Sequence, residues 1–188
     1  MNRKPIQQWT TKSRKVVFDQ RPWVIIEHHE VELPNGRIIP DWPWIITSDY
    51  INVVPLTVDH RVLCFRQTKY ASQAEALALV GGYINPGEQP EAAAKRELLE
   101  ETGHEAPNWQ FLGHYHCDAN RGCGAGYLYL ALDARPTAPI RSDDLEQQQL
   151  ITLTIPELAQ AVEQGDFPIM PWTAAAALAL LRIMRLGL

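Results

Sequence analysis

The sequence predicts an α/β fold, and three observations carry that reading. Short runs rich in β-branched and aromatic residues recur between turn signals, as in Trp23–Leu33 and Tyr50–Val58. A glycine-rich loop, Gly81 to Gly87, leads into a run of helix formers, Ala92 to Leu99. Two further helices close the chain, opened by Ile155-Pro156-Glu157 and by Pro171-Trp172-Thr173.

Taken in order, residues 1 to about 14 are polar and basic, the composition of a poorly ordered end. Val16-Val17-Phe18 and Trp23–Leu33 read as strands. Pro34-Asn35-Gly36-Arg37 is a turn, and Arg37-Ile38-Ile39 starts the return strand. Trp42–Ile46 follows, with Pro40 and Pro43 marking an irregular or edge strand. A small antiparallel sheet is thus expected over 1–48, ahead of a second domain over 49–188.

In that second domain Tyr50–Val58 is an apolar strand, Asp59-His60 a turn, and Arg61–Gln67 the hairpin partner. Arg66–Tyr70 leads into a polar loop, and Ala76–Val80 runs as a strand into the glycines. Trp109–His116 and Gly126–Ala134 are two more strands, flanking a loop from Cys117 to Ala125. Arg135–Asp144 is a connector and Gln149–Thr154 a last strand. One helix then ends before Gly165, and another runs to about Leu186. Apolar on several sides, that last helix is expected to be buried against the sheet or a partner subunit.

The chain is long enough, at 188 residues, for one well-packed domain with an extension. A formal charge of −5 argues against a nucleic-acid surface, which would be basic. No apolar run has the length of a membrane span, and no signal-peptide core follows Met1. A cytoplasmic setting is the expectation. Cys64, Cys117 and Cys123 have no zinc-like spacing and read as reduced thiols.

The chemistry concentrates on the helix after the glycines. Pro90 suits its first turn and Gly103 its left-handed cap. At about 100° per residue, Glu97, Glu100 and Glu101 share one side of it. Three carboxylates there repel one another. A hard divalent cation such as Mg²⁺ offsets that cost, because it prefers anionic oxygen ligands. Arg96 can pair with Glu100 one turn on, or reach back to Glu88 in the loop. Ala94 and Leu98 flank the acidic side and would pack inward.

The residues Gly82, Glu88, Arg96, Glu97, Leu98, Glu100, Glu101 and Gly103 stand at the spacing of the Nudix signature, which this stretch resembles. Only the final position departs, with His104 where an apolar residue is usual. The N-terminal sheet, the Arg66-Gln67 segment and the paired C-terminal helices look like the ADP-ribose pyrophosphatase branch of that family. The resemblance implies an α/β/α sandwich around a mixed sheet, and a homodimer whose N-terminal sheet helps build the partner's substrate site. It implies Glu100 and the Gly81 carbonyl as metal ligands beside Glu97 and Glu101, with Mg²⁺ as cofactor and Mn²⁺ as a substitute. Glu88 and Arg96 become supports for the acidic side chains.

Two features depart from that branch. Ala78 stands where a Glu is common, and the 117–125 loop offers Asp118 rather than a Glu as catalytic base. Asp118 can equally cap its turn, in which case Glu100 or a metal-bound hydroxide serves. Arg66, Lys69 and Arg121 are candidates for diphosphate or ribose contacts, or else solvated charges. Trp44, with Trp42 and Tyr50, can stack a nucleobase or pack the sheet. Trp172 reads as core. His28 and His29, between Glu27 and Glu30, read as solvated strand residues rather than metal ligands.

The function expected is Mg²⁺-dependent hydrolysis of the diphosphate bond of a nucleoside diphosphate sugar, with ADP-ribose the first substrate to try. Other sugar nucleotides or dinucleotides (UDP-glucose, GDP-mannose, NADH) are alternatives within that class. A nucleotide-sugar sensor without turnover is the alternative outside it, and the intact Glu97, Glu100 and Glu101 argue against it. The partner is a small molecule, with neither nucleic acid nor membrane involved.

Overall fold

The computed structural model describes residues 6–141 and 147–188, apart from the side chain of Gln73. The chain divides into two compact units, Met1–Ser48 with His116–Ala125, and Asp49–Tyr115 with Gly126–Leu188.

The first unit holds a three-stranded antiparallel sheet of β1 (Thr10–Gln20), β2 (Val24–Glu32) and β3 (Ile38–Ile46), in that order. The turn at Pro34–Arg37 closes with Leu33 N–H donating to the Arg37 carbonyl at 2.8 Å. Gly36 takes φ +81° there, a conformation that favours glycine. Pro40 and Pro43 lie in β3, an edge strand of this sheet, where a missing N–H is tolerated. The first strand corrects the expectation of a poorly ordered end to residue 14. It begins at Thr10, opposite Glu32, and Lys12 forms an ion pair with Glu32. Residues 1–5 lie outside the described residues. Polar composition signalled exposure correctly, since all of β1 is exposed, but exposure does not preclude pairing.

The second unit is built on β4 (Tyr50–Thr57), β5 (Arg61–Lys69), β6 (Ser72–Ala78) and β7 (Val80–Tyr83). Helix α1 (Pro90–Thr102) follows, then β8 (His104–Glu105), β9 (Asn108–His116), β10 (Ala125–Pro136) and β11 (Gln148–Thr154). Helices α2 (Ile155–Gln164) and α3 (Met170–Leu186) end the chain. The eight strands make one sheet in the order β11-β5-β4-β10-β8, with β6 on β5, β7 on β4 and β9 on β10. It is mixed, because β4 and β10 run parallel while β4 runs antiparallel to β5 and β7. Ile51 to Leu56 of β4 are all buried, so both faces of that strand are covered. Helices α1 and α3 both pack on β4, and α2 packs on β11 and β5. This is the α/β sandwich around a mixed sheet.

Two local readings are corrected. After Arg66 the chain does not loop out; β5 continues to Lys69, turns at Tyr70-Ala71 and returns as β6, with Lys69 opposite Ser72. Cross-strand pairing, invisible locally, overrides the polar composition. Strand β10 runs past Ala134 to Pro136 because the two-residue β8 pairs with its end, Arg135 opposite Glu105. The end of the predicted connector, Asp143 and Asp144, lies outside the described residues. Helix α3 packs on the sheet as expected, burying Trp172, Ala175, Ala176, Ala179 and Ile183 while Leu181 and Met184 stay exposed. No described helix is long and apolar enough to cross a membrane.

Candidate active site

Local sequence dictates α1. Pro90 occupies its first turn, and Gly103 ends it at φ +69° with its N–H donating to the Leu99 carbonyl at 2.8 Å. Ala93, Ala94 and Leu98 are fully buried against the sheet. That seats the neighbouring edge of the helix, with its acidic residues, against Gly81 and Gly82 of β7.

Each carboxylate meets a different fate. Glu101 is buried, and its Oε2 accepts a hydrogen bond from Gly81 N–H at 3.1 Å. Glu97 lies against Gly82; a Cβ on Gly82 would stand 2.1 Å from its Oε1, so any larger residue there would displace the Glu97 carboxylate. Glu100 is more exposed and meets Arg96 at 3.0 Å.

Arg96 makes both of its predicted contacts at once, and more. Its Nε and Nη2 donate to the two oxygens of Glu88 at 2.9 and 3.0 Å, a bidentate pair. Its Nη1 donates to Glu97 at 2.6 Å and to Glu100 at 3.0 Å, and Nη2 also reaches the Tyr83 carbonyl at 3.2 Å. Glu88 in turn accepts from Asn85 N–H at 3.0 Å, which ties the loop to the helix. The Arg96 hydrogen bonds hold the Glu88 carboxyl below the usual glutamate range, and the Asn85 N–H adds to this. The same carboxylates push Arg96 further up, Glu88 foremost.

Among the described residues, no three His, Cys, Asp or Glu side chains are grouped to hold a metal ion as they stand. The Arg96 guanidinium engages Glu97 and Glu100. The donor set nonetheless fits a hard cation, being carboxylate oxygens beside a glycine backbone. A cationic group already draws two of the carboxylates together.

Asn52 is the residue that sequence reasoning missed. It lies in β4 directly opposite Gly81, and it is 4% exposed. A Cβ on Gly81 would stand 2.3 Å from its Nδ2. A lone amide inside the apolar run Ile51–Leu56 was the available signal.

Arg66 is on β5, where its Nε lies 3.4 Å from Glu75. It lines a cavity of about 550 Å³ with Leu77, Ile151, Gln160 and Asp166, and none of the three glutamates lines that cavity. His104, at the rim of α1, is half-buried and hydrogen-bonds through Nδ1 to the Thr102 carbonyl at 2.7 Å.

Asp118, Arg121 and Trp44 belong to the first unit. Asp118 Oδ1 accepts from Asn120 N–H at 2.7 Å, the capping geometry, and Oδ2 pairs with Arg121 at 3.2 Å. The Asn120 hydrogen bond and the Arg121 charge hold its carboxyl below the ordinary range. Trp44 stacks on His29 at 5.3 Å, and the backbone of Gly122 lies flat against its indole. Trp42 Nε1 donates to the Asn120 carbonyl at 3.0 Å, and Trp9 packs edge-on against Trp42. These rings line a cavity of about 370 Å³. His29 corrects the solvated reading: it is buried, and its Nε2 lies 2.8 Å from Glu27. Trp172 is core, and all three cysteines are free thiols.

Comparison with known proteins identifies the family. The NUDIX domain model matches residues 48–173. A CMP-5'-(N-acetyl-N-hydroxy-3-aminopropyl)phosphonate hydrolase of Streptomyces rubellomurinus is 25% identical over 180 residues, covering 96% of this chain and 84% of that protein. The ADP compounds hydrolase NudE of Escherichia coli is 25% identical over 165 residues, 87% of each chain. The ADP-ribose pyrophosphatase of Bacillus subtilis is 24% identical over 142 residues, 73% of this chain and 74% of that one. A crystal structure of an ADP compounds hydrolase superposes with a TM-score of 0.83 at 22% identity, over 98% of this chain and 99% of that one. The chain belongs to the Nudix family and is a Nudix hydrolase.

Proposed function

We propose that this enzyme hydrolyses the diphosphate bond of an ADP-linked compound, ADP-ribose first among them, giving AMP and a sugar phosphate with the help of Mg²⁺. The observation that carries this reading is the seating of Glu97, Glu100 and Glu101 around Gly81, Gly82 and Arg96. The relatives named for ADP compounds and ADP-ribose support the substrate class.

Glu97, Glu100, Glu101 and the Gly81 carbonyl would hold the cation. When bound there, it would neutralise the charge on the diphosphate's non-bridging oxygens and acidify the attacking water. Glu101 is fixed by Gly81 and needs no rearrangement to serve. Glu97 and Glu100 are paired with Arg96 in this structure and would have to turn part of their carboxylates to the cation. Arg96, anchored by both oxygens of Glu88, keeps the charge of the cluster balanced meanwhile. Water attacks one phosphorus, the anhydride P–O bond breaks, and the second phosphate leaves with its oxygen.

Arg121 supplies positive charge for a phosphate in this reading, whereas Arg66 lines a cavity that none of the three glutamates lines and the Trp44 ring is already stacked on His29. The engaged carboxylate of Asp118 supports a capping role, which leaves Glu100 to take the proton of the attacking water. The enzyme works in the cytoplasm as a homodimer in this reading. A second substrate reading, a CMP-linked compound, rests on the relative that covers 96% of the chain.

A panel of ADP-ribose, NADH, UDP-glucose, GDP-mannose and a CMP ester, each with Mg²⁺ and with Mn²⁺, tests it. Release of phosphate after phosphatase coupling, strongest for the ADP compounds, is expected. No turnover of any member with either metal defeats the reading.

A further inference from the structure

We propose that Asn52 is a positioning residue of the metal-binding end of β7, acting through the Gly81 backbone; this rests on the metal reading above. Gly81 and Gly82 are successive strand residues, so their Cβ directions point to opposite faces. A Cβ on Gly82 would meet Glu97, and one on Gly81 would meet the Asn52 amide at 2.3 Å. The glycine pair is therefore clamped, with Glu97 on one face and Asn52 on the other. Between them, Gly81 N–H holds the buried Glu101 carboxylate.

The amide is costly where it stands. Its Oδ1 is buried without a hydrogen-bond partner, in a strand whose neighbours Ile51, Val53 and Val54 are fully buried and apolar. An unpaired buried acceptor destabilises the fold, because it has given up its bond to water for nothing. A branched aliphatic side chain would fill that space without the penalty. Bulk alone does not account for the amide; its polarity against the Gly81 peptide does. It presents its Nδ2 edge to the stretch of backbone whose other neighbour is the Glu101 anion. A polar edge there keeps the peptide oriented and the anion supported, while an aliphatic one does neither. Asn52 touches no substrate in this arrangement and is not itself a ligand.

The test is direct Mn²⁺ binding to the full chain without substrate, by electron paramagnetic resonance of free Mn²⁺, together with thermal melting. Asn52→Leu should melt at or above the wild-type temperature yet bind Mn²⁺ about 10-fold or more weakly, the usual effect of losing a support behind a ligand. Asn52→Ala, which leaves a hole, should weaken Mn²⁺ equally but also melt lower. A merely structural role predicts the reverse, a lowered melting temperature with Mn²⁺ affinity within twofold of wild type. That result in both variants overturns the proposal. Failure of the wild-type chain to bind Mn²⁺ overturns the metal reading itself, and this inference with it.

Discussion

Glu101 and Gly81 stand 20 residues apart in the chain, and the carboxylate of one accepts the backbone N–H of the other at 3.1 Å. That bond fixes a buried carboxyl group against β7, where the signature stretch begins. It also sets the effect of substitution there.

Glu101→Gln keeps the shape and can keep the acceptor for Gly81 N–H, but removes the charge. Melting temperature should stay close to wild type while kcat falls by about 100-fold or more. Steady-state kinetics at saturating Mg²⁺ checks it, and a near-normal rate would remove Glu101 from the ligand set.

Arg96→Ala should lose stability and activity together. It strands Glu88, Glu97 and Glu100, three carboxylates that now share one cation. The cluster is partly exposed, so the loss is expected at about 1–3 kcal/mol rather than the full cost of a buried pair. Urea unfolding measures it. Arg96→Lys should recover little, since an ammonium cannot hold Glu88 bidentately while reaching Glu97.

Glu88 gives a pH dependence with a definite sign. Its carboxyl is held below the usual glutamate range by Arg96, so its contribution to stability is fully present above the unfolded value of about 4.3. It is lost as pH falls from there through the lower, folded value. Glu88→Gln should therefore be less stable than wild type at neutral pH, with the gap closing below about pH 4. Urea midpoints at several pH values test this; a gap that widened on acidification would refute the pairing.

Asp118→Asn should leave kcat within a few-fold of wild type, because an Asn oxygen can still accept from Asn120 N–H. A fall of about 100-fold in kcat at unchanged KM would make Asp118 the general base after all. Arg121→Ala should raise KM more than it lowers kcat.

Strand β1 makes the homodimer testable. It is an edge strand of its sheet, exposed along its whole length, and carries Val16, Val17 and Phe18 in succession. Apolar edges invite pairing with another chain. Sedimentation at micromolar concentration should show a dimer, and Phe18→Lys should shift it toward monomer. A monomeric wild type would exclude this assembly.

What the sequence by itself determined is what local chemistry controls. Pro90, the alanines and Gly103 define α1, and helical periodicity puts Glu97, Glu100 and Glu101 on one side of it. The signature spacing fixed the family, and the Pro34–Arg37 turn and the edge character of β3 followed from residues that restrict their own backbone. Tertiary structure alone decided the rest. The pairing of β6 with β5, the tie of β8 to the end of β10 and the burial of His29 each depend on partners distant in sequence. So does the clamp of Asn52 and Glu97 on the two glycines. A strand partner contributes its energy only after a long loop has closed, and nothing in a short window of sequence records which partner that will be.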